Sequence, residues 1–109
     1  MVDSNLKIRQ INFSDKEFLN IKKIRKTIFS DEMGISELEL FDKFDEASDH
    51  FLFLYQNSVI GSVRLRQIEN NIKLERMAII LNFEIRILVT MLLDKLLIII
   101  EKEKLKKLF

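Results

Sequence analysis

Cysteine and proline are both absent from this chain, and glycine and histidine nearly so. Without a thiol the protein can form neither a disulfide nor a thiolate metal site. A single histidine, His50, excludes a histidine-rich metal cluster, and no metal is expected; carboxylates are the one ligand type left for one. Average usage would give about seven glycines and five prolines in a chain of this length, against two and none here. Turns therefore fall to Asn, Asp and Ser. Backbone positions with positive φ are expected to be scarce or strained. Charge of one sign is also lacking: the formal net charge is +1, which gives no electrostatic case for a nucleic-acid or membrane partner. The start, MVDSNLKIRQ, has no apolar signal-like core, and the most apolar stretch, Ile87 to Ile100, is interrupted by Asp94 and Lys95. That stretch falls short of the roughly 20 residues a bilayer span needs, and a cytoplasmic location is expected.

What is present suits a single small domain over residues 1–109: 48% of the residues are hydrophobic and 32% charged. Leu6 to Ile11 alternates as a strand does. Ser14 and Glu17 have capping-box spacing, and Phe18, Ile21, Ile24, Ile28 and Phe29 follow at helical spacing, which predicts a helix from about Asp15 to Phe29. The acidic stretch Ser30 to Ser48 reads as loop, with a short helical turn near Glu37–Phe41. Three strands are predicted next: His50–Gln56, Val59–Ile68 and Ile72–Ile80. Their tight connections at Asn57-Ser58 and Glu69-Asn70-Asn71 imply an antiparallel meander. In the middle strand, Ile60, Ser62, Arg64 and Arg66 share one predicted face. A last helix, from Arg86 or Val89 to Lys104, is apolar on nearly every side and calls for cover on more than one face. The closing LKKLF, Leu105 to Phe109, reads as the first residues of a fifth strand. The fold class is α+β, a mostly antiparallel sheet flanked by helices.

These segments, in this order, resemble the GNAT superfamily of acyl-CoA-dependent N-acyltransferases. Arg25-x-x-x-Phe29-x-x-Glu32-Met33-Gly34-Ile35 is similar to the end of that family's first helix and the loop after it. Glu39-x-x-Asp42-x-x-Asp45 before His50 resembles one branch of small bacterial members. Ile60-Gly61-x-x-Arg64-Leu65 looks like that branch's third strand, and Lys73-Leu74-Glu75-Arg76-Met77-Ala78-Ile79 like its fourth. The likeness covers nearly all of the chain but only about the first two-thirds of a family domain, so the domain is expected to be truncated.

The resemblance implies acetyl-CoA as acyl donor and a small-molecule amine, protein N-terminus or lysine as acceptor. Backbone groups at Met77, Ala78 and Ile79 would hold the pantetheine arm and polarise the thioester carbonyl. The family's pyrophosphate loop, R/Q-x-x-G-x-G/A, falls on Glu84 to Val89. Arg86, Ile87, Val89 and Thr90 then take the cofactor-binding positions, with an acid and two β-branched residues where the pattern has a basic or amide residue and two glycines. Glu75 would be the general base; as a plain strand residue it would pair with Arg64 or Arg66. Arg25, Glu39, Asp42, Asp45 and Arg64 would bind the substrate, the acids drawing in a cationic amine; as plain structure they would order the loop through ion pairs. His50 reads as structural rather than as a proton carrier.

Two other readings stand beside this one. The lost glycines and missing fifth strand also suit a non-catalytic fragment or interaction module, which would pair two copies through the exposed last strand and helix. The Arg25, Asp42, Asp45 and Arg64 pattern also resembles acyl-homoserine-lactone synthases, which would imply an acyl-carrier protein or S-adenosylmethionine as partner.

Overall fold

A computed structural model describes residues 5–80 and 83–108; the side chains of 83–88 and 105–108 lie outside that description. Strands β1 (Leu6–Ile11), β2 (Asp49–Tyr55), β3 (Ser58–Ile68) and β4 (Asn71–Ile79) form one antiparallel sheet in the order β1-β2-β3-β4. Helix α1 (Phe18–Arg25) runs into π-helical turns over Lys26–Glu32; α2 (Glu37–Leu40) and α3 (Phe83–Leu108) complete the fold. The α+β class and the meander are as the sequence predicts.

Both faces of the sheet are covered, which explains why HFLFLY is apolar at nearly every position. Side chains alternate along a strand. Phe51 and Phe53 join Leu6, Val63, Leu65, Leu92 and Leu96 beneath α3. Leu52 and Leu54 join Ile11, Phe18 and Ile21 beneath α1. Among the described side chains of α3, Leu93, Leu97 and Ile98 nonetheless stay exposed, on the side away from Leu92 and Leu96. Among the described residues, no helix is long and apolar enough to cross a membrane.

Two irregularities shape the functional end of the sheet. Phe53 pairs with Gly61 but Leu54 with Val59, so Ile60 is an extra residue in β3. This bulge turns Ile60 into the core beneath α3. The predicted face shared by Ile60 and Ser62 is therefore broken at Ile60. In β4, Ala78 pairs with Ser62 and Glu75 with Arg64, which leaves Arg76 and Met77 together opposite Val63. Arg76 takes φ 55° to make this second bulge.

Gly61 lies where the two strands approach most closely. A Cβ there would overlap the Ala78 carbonyl oxygen and press on Phe53. Gly61→Ala is expected to cost about 1–3 kcal/mol, as overpacking does, and to shift β4 at Ala78. Urea denaturation and the Ala78 amide chemical shift together check this; an unchanged midpoint and shift would show that β4 can move freely.

Elsewhere the structure corrects the sequence reading. The Ser14–Glu17 capping box does not form: the Glu17 carboxylate pairs with Arg9 at 2.6 Å, while Asp15 Oδ1 accepts from the Glu17 amide at 2.9 Å. Regular α-helix then begins only at Phe18. Leu105–Leu108 continues α3 rather than opening a fifth strand, as the helix-forming EKEKLKK run allows. Positive φ is not scarce: Gln56, Asn57, Glu69 and Arg76 adopt it without glycine. Gln56 and Asn57, both at positive φ, make the two-residue β2–β3 turn that a hairpin's twist favours.

Candidate functional site

A buried network of charge joins the acidic loop to the sheet. The loop from Phe41 to Ser48 carries Asp42 and Asp45 over the face of β3 and β4 that presents Arg64, Arg66 and Glu75. Arg25, on the inner face of α1, reaches the same place. Arg25 Nη1 donates to both Asp45 oxygens, at 2.9 and 3.0 Å. Arg64 Nη1 donates to Asp42 at 2.6 Å and to Asp45 at 3.1 Å, and its Nη2 to Glu75 at 2.9 Å. Arg66 grips Glu75 with Nε at 2.6 Å and Nη2 at 3.1 Å, and stacks over Phe44 at 4.0 Å. Arg25 and Arg64 are 0% exposed and Asp45 is 3%.

The fields within this network explain the ionisation of its members. Burial pulls the Arg25 guanidinium down, and only Asp45 pulls it back. Burial acts the same way on Arg64, but hydrogen bonds to Asp42, Asp45 and Glu75 together outweigh it and push it up. Three carboxylates against one is the difference. Hydrogen bonds from Arg66 pull Glu75 down to about 2, against its own burial and with further help from Arg64. Arg64 likewise holds Asp42 below the usual carboxylate range.

His50 is the neutral member. Its Nε2 lies 2.6 Å from the Asp45 carbonyl oxygen, and its Nδ1 lies 3.3 Å from Arg25 Nη2. A carbonyl only accepts and a guanidinium only donates. The ring is therefore the Nε2–H tautomer, assigned from these two partners, with Nδ1 accepting. Burial, more than the neighbouring cations, holds its pKa below the ordinary value.

This placement separates the predicted substrate residues. Arg25, Asp45 and Arg64 come together as expected, but inside the protein, where they can position other groups and not touch a ligand. Asp42 sits at the edge of the network. Glu39 lies outside it, at a pocket of about 300 Å³ lined by Phe29, Ile35, Glu39, Leu40, Arg76 and Met77. Glu75 is ill suited to be a base: its oxygens receive Arg64, Arg66 and Lys73, and at a pKa of about 2 it has little affinity for a proton. Among the described residues no group of His, Asp and Glu is placed to hold a metal.

Sequence reasoning missed Arg76, Phe29 and Ile35. Arg76 ties the second bulge to α2 and the loop: Nη2 donates to the Glu39 carbonyl at 2.8 Å and to Asp42 Oδ2 at 3.0 Å. Phe29 lies in the π-helical turns, a feature frequent at functional sites. Gly34, at φ 75°, ends those turns, and the Ile35 amide returns to the Phe29 carbonyl at 2.8 Å. This closure sets Phe29 and Ile35 side by side on the pocket wall. A signal for Arg76 was present: Glu75-Arg76 sets two charged residues in succession and breaks the period of two in IKLERMAI.

An acyl-CoA donor would meet two surfaces. Strand β4 is a sheet edge, so its outer amides and carbonyls have no strand partner among the described residues. Such an edge suits the amides of a pantetheine arm along Met77, Ala78 and Ile79. The pyrophosphate has less to hold it. Helix α3 begins at Phe83, and a helix leaves amides free only in its first turn. Val89 and Thr90 lie in the second turn, so their amides are committed to the helix. The side chains of Arg86 and Ile87 lie outside the described residues. The backbone amides open to an anion are therefore those of one helical turn.

Comparison with known proteins bears on the family of the chain. The acetyltransferase (GNAT) domain family matches residues 24–99. Two proteins of Bacillus subtilis (strain 168) are similar. "Uncharacterized protein YyaT" is 38% identical over 61 residues, which are 53% of this chain and 41% of that protein. "Putative acetyltransferase BSU40680" is 32% identical over 73 residues, 64% of this chain and 50% of that protein. The chain thus spans about half the length, or less, of these relatives.

Proposed function

The chain belongs to the GNAT acetyltransferase family, and from that premise we propose that it transfers an acyl group from acetyl-CoA or a related acyl-CoA to an amine bound in the pocket beside Arg76. The observation that carries this reading is the bulge at Arg76–Met77. It breaks the pairing of β3 with β4 at the wall of the 300 Å³ pocket, and so brings pocket and exposed strand edge to one place.

Each residue then has a part. Met77, Ala78 and Ile79 line the arm of the donor, which supplies a thioester carbonyl when bound. Phe29, Ile35 and Leu40 exclude water from the acceptor. Glu39, whose carboxylate pairs with no described residue, attracts the acceptor's ammonium group. Arg25, Asp45, Arg64 and Asp42 hold the pocket's frame. With Glu75 held by arginines, the ammonium proton leaves to solvent, so kcat/KM is expected to rise with pH until the amine's own pKa is reached.

An assay of thiol release, run with acetyl-CoA and a panel of amines, tests this. Release is expected to need both components, and Glu39→Gln is expected to raise the acceptor KM about tenfold with little change in kcat, as loss of ground-state binding does. Donor hydrolysis that ignores the amine would contradict the proposal.

A second reading is a non-catalytic module of the same family. It is favoured by Glu75, which no longer offers a base, and by the helical backbone at residues 87–90. It predicts a cooperatively folded protein that does not bind acetyl-CoA in isothermal titration.

A further inference from the structure

The acceptor pocket carries more chemical information than an amine alone would need. Four of its six lining residues, Phe29, Ile35, Leu40 and Met77, are apolar. The other two carry opposite charges, and each has a group to spare. Glu39 makes no side-chain ion pair with any described residue. Arg76 has five N–H donors: Nε donates to the Leu40 carbonyl at 3.4 Å, and Nη2 to the Glu39 carbonyl at 2.8 Å and to Asp42 Oδ2 at 3.0 Å. No described residue accepts from Nη1.

A simple apolar amine would leave that guanidinium corner unmatched, and the cation beside it would repel the ammonium group. A polyamine would set extra positive charge against Phe29, Ile35, Leu40 and Met77. A zwitterion with an apolar side chain meets every feature: its ammonium faces Glu39, its carboxylate takes Arg76 Nη1, and its side chain lies on the apolar wall. A volume of about 300 Å³ is at the small end of ligand sites, which suits one amino acid better than a peptide.

We propose that the acceptor is a free α-amino acid with an apolar side chain, with Glu39 and Arg76 as the residues that select it. The inference rests on the reading of this pocket as the acceptor site. In the reaction, the amino nitrogen forms an amide bond to the acyl carbon as the thioester C–S bond breaks. Of the two protons the ammonium loses, one goes to the departing thiolate and one to solvent. The product is an N-acyl amino acid and free CoA thiol.

Binding measured without any acyl donor tests the proposal. Isothermal titration with L-phenylalanine, L-leucine, phenethylamine and spermidine probes Arg76 without altering it, since phenethylamine differs from phenylalanine only by the carboxylate. The expected result is saturable binding of both amino acids, at least tenfold weaker binding of phenethylamine, and none of spermidine. Glu39→Gln, an exposed change outside the buried network, is expected to weaken leucine about tenfold. Equal or tighter binding of phenethylamine, or no binding of either amino acid by folded protein, would overturn the proposal. The two levels separate cleanly. Amino-acid binding without turnover would defeat only the acyl-transfer reading, and turnover of simple amines without amino-acid binding would defeat only this one.

Discussion

Asp45→Asn is expected to destabilise the protein by about 3–5 kcal/mol, the cost of breaking a buried ion pair by removing one partner. A domain of this size holds only about 5–15 kcal/mol in total, so this one substitution should remove a large share of the stability. The reason is the sharing. Asp45 accepts from two guanidiniums, Arg25 at 2.9 Å and Arg64 at 3.1 Å, and both are fully buried. Arg64 keeps Asp42 and Glu75 when Asp45 is neutralised, but Arg25 is left with no carboxylate: only neutral acceptors remain, the substituted amide oxygen, the Leu40 carbonyl at 3.4 Å and the His50 ring. The surface pair Arg9–Glu17 is the control: its side chains are 51% and 40% exposed, and Glu17→Gln should change stability by less than about 1 kcal/mol. Urea denaturation of both variants decides the matter. A loss below about 1 kcal/mol for Asp45→Asn would mean that water reaches Arg25 and that the network is not a sealed unit.

Acid is expected to dismantle the same network in two steps. His50 has a folded-state pKa below its ordinary 6.5, so the unfolded chain binds its proton first. Stability from keeping this ring neutral is complete above about pH 6.5 and falls as pH drops below it. Protonation would also put an N–H on Nδ1 facing Arg25 Nη2, donor against donor. Glu75 follows. Its folded pKa of about 2 lies below the ordinary 4.5, so its contribution is complete above about pH 4.5 and is lost as pH falls toward 2. That interval corresponds to about 3 kcal/mol. Asp42, shifted in the same direction, adds to the second step. Midpoints of urea unfolding from pH 8 to pH 3 should decline in two stages, and His50→Gln should remove the first. A flat profile between pH 7 and 5 in the unsubstituted protein would contradict the buried neutral ring.

The sheet was legible because period-two patterning survives wherever one face is buried. It failed at two single residues, Ile60 and Arg76, where an extra residue breaks the period; Gly61 stands beside the first, and no glycine marks the second. The charge network was half legible. Arg25, Asp42, Asp45 and Arg64 were brought to notice by resemblance, but sequence spacing has no way to say whether such a cluster faces solvent or the interior. Burial decides that, and it makes three of the four positioning residues. Glu75 shows the same limit: its partners Arg64 and Arg66 were foreseen, but not that their combined grip would leave it no proton to take. Of the pocket, Glu39 and Met77 were brought to notice by resemblance, but its apolar wall was not legible, because the π-helical turns that present Phe29, and the return at Gly34 that seats Ile35 beside it, follow from backbone hydrogen bonds rather than from residue type.

The bulged edge of β4 and the pocket beside it are proposed as a working acyl-transfer site. Mass spectrometry of the products after incubation with acetyl-CoA and a primary-amine acceptor tests it most directly, with cooperative unfolding in the same buffer as the check that the protein is folded. The expected product is an acetylated acceptor, heavier by about 42 Da through replacement of one hydrogen with an acetyl group, formed in proportion to protein and reduced by Glu39→Gln. No acetylated product from a folded protein would contradict it, and would leave the fold as a family scaffold without the family's chemistry.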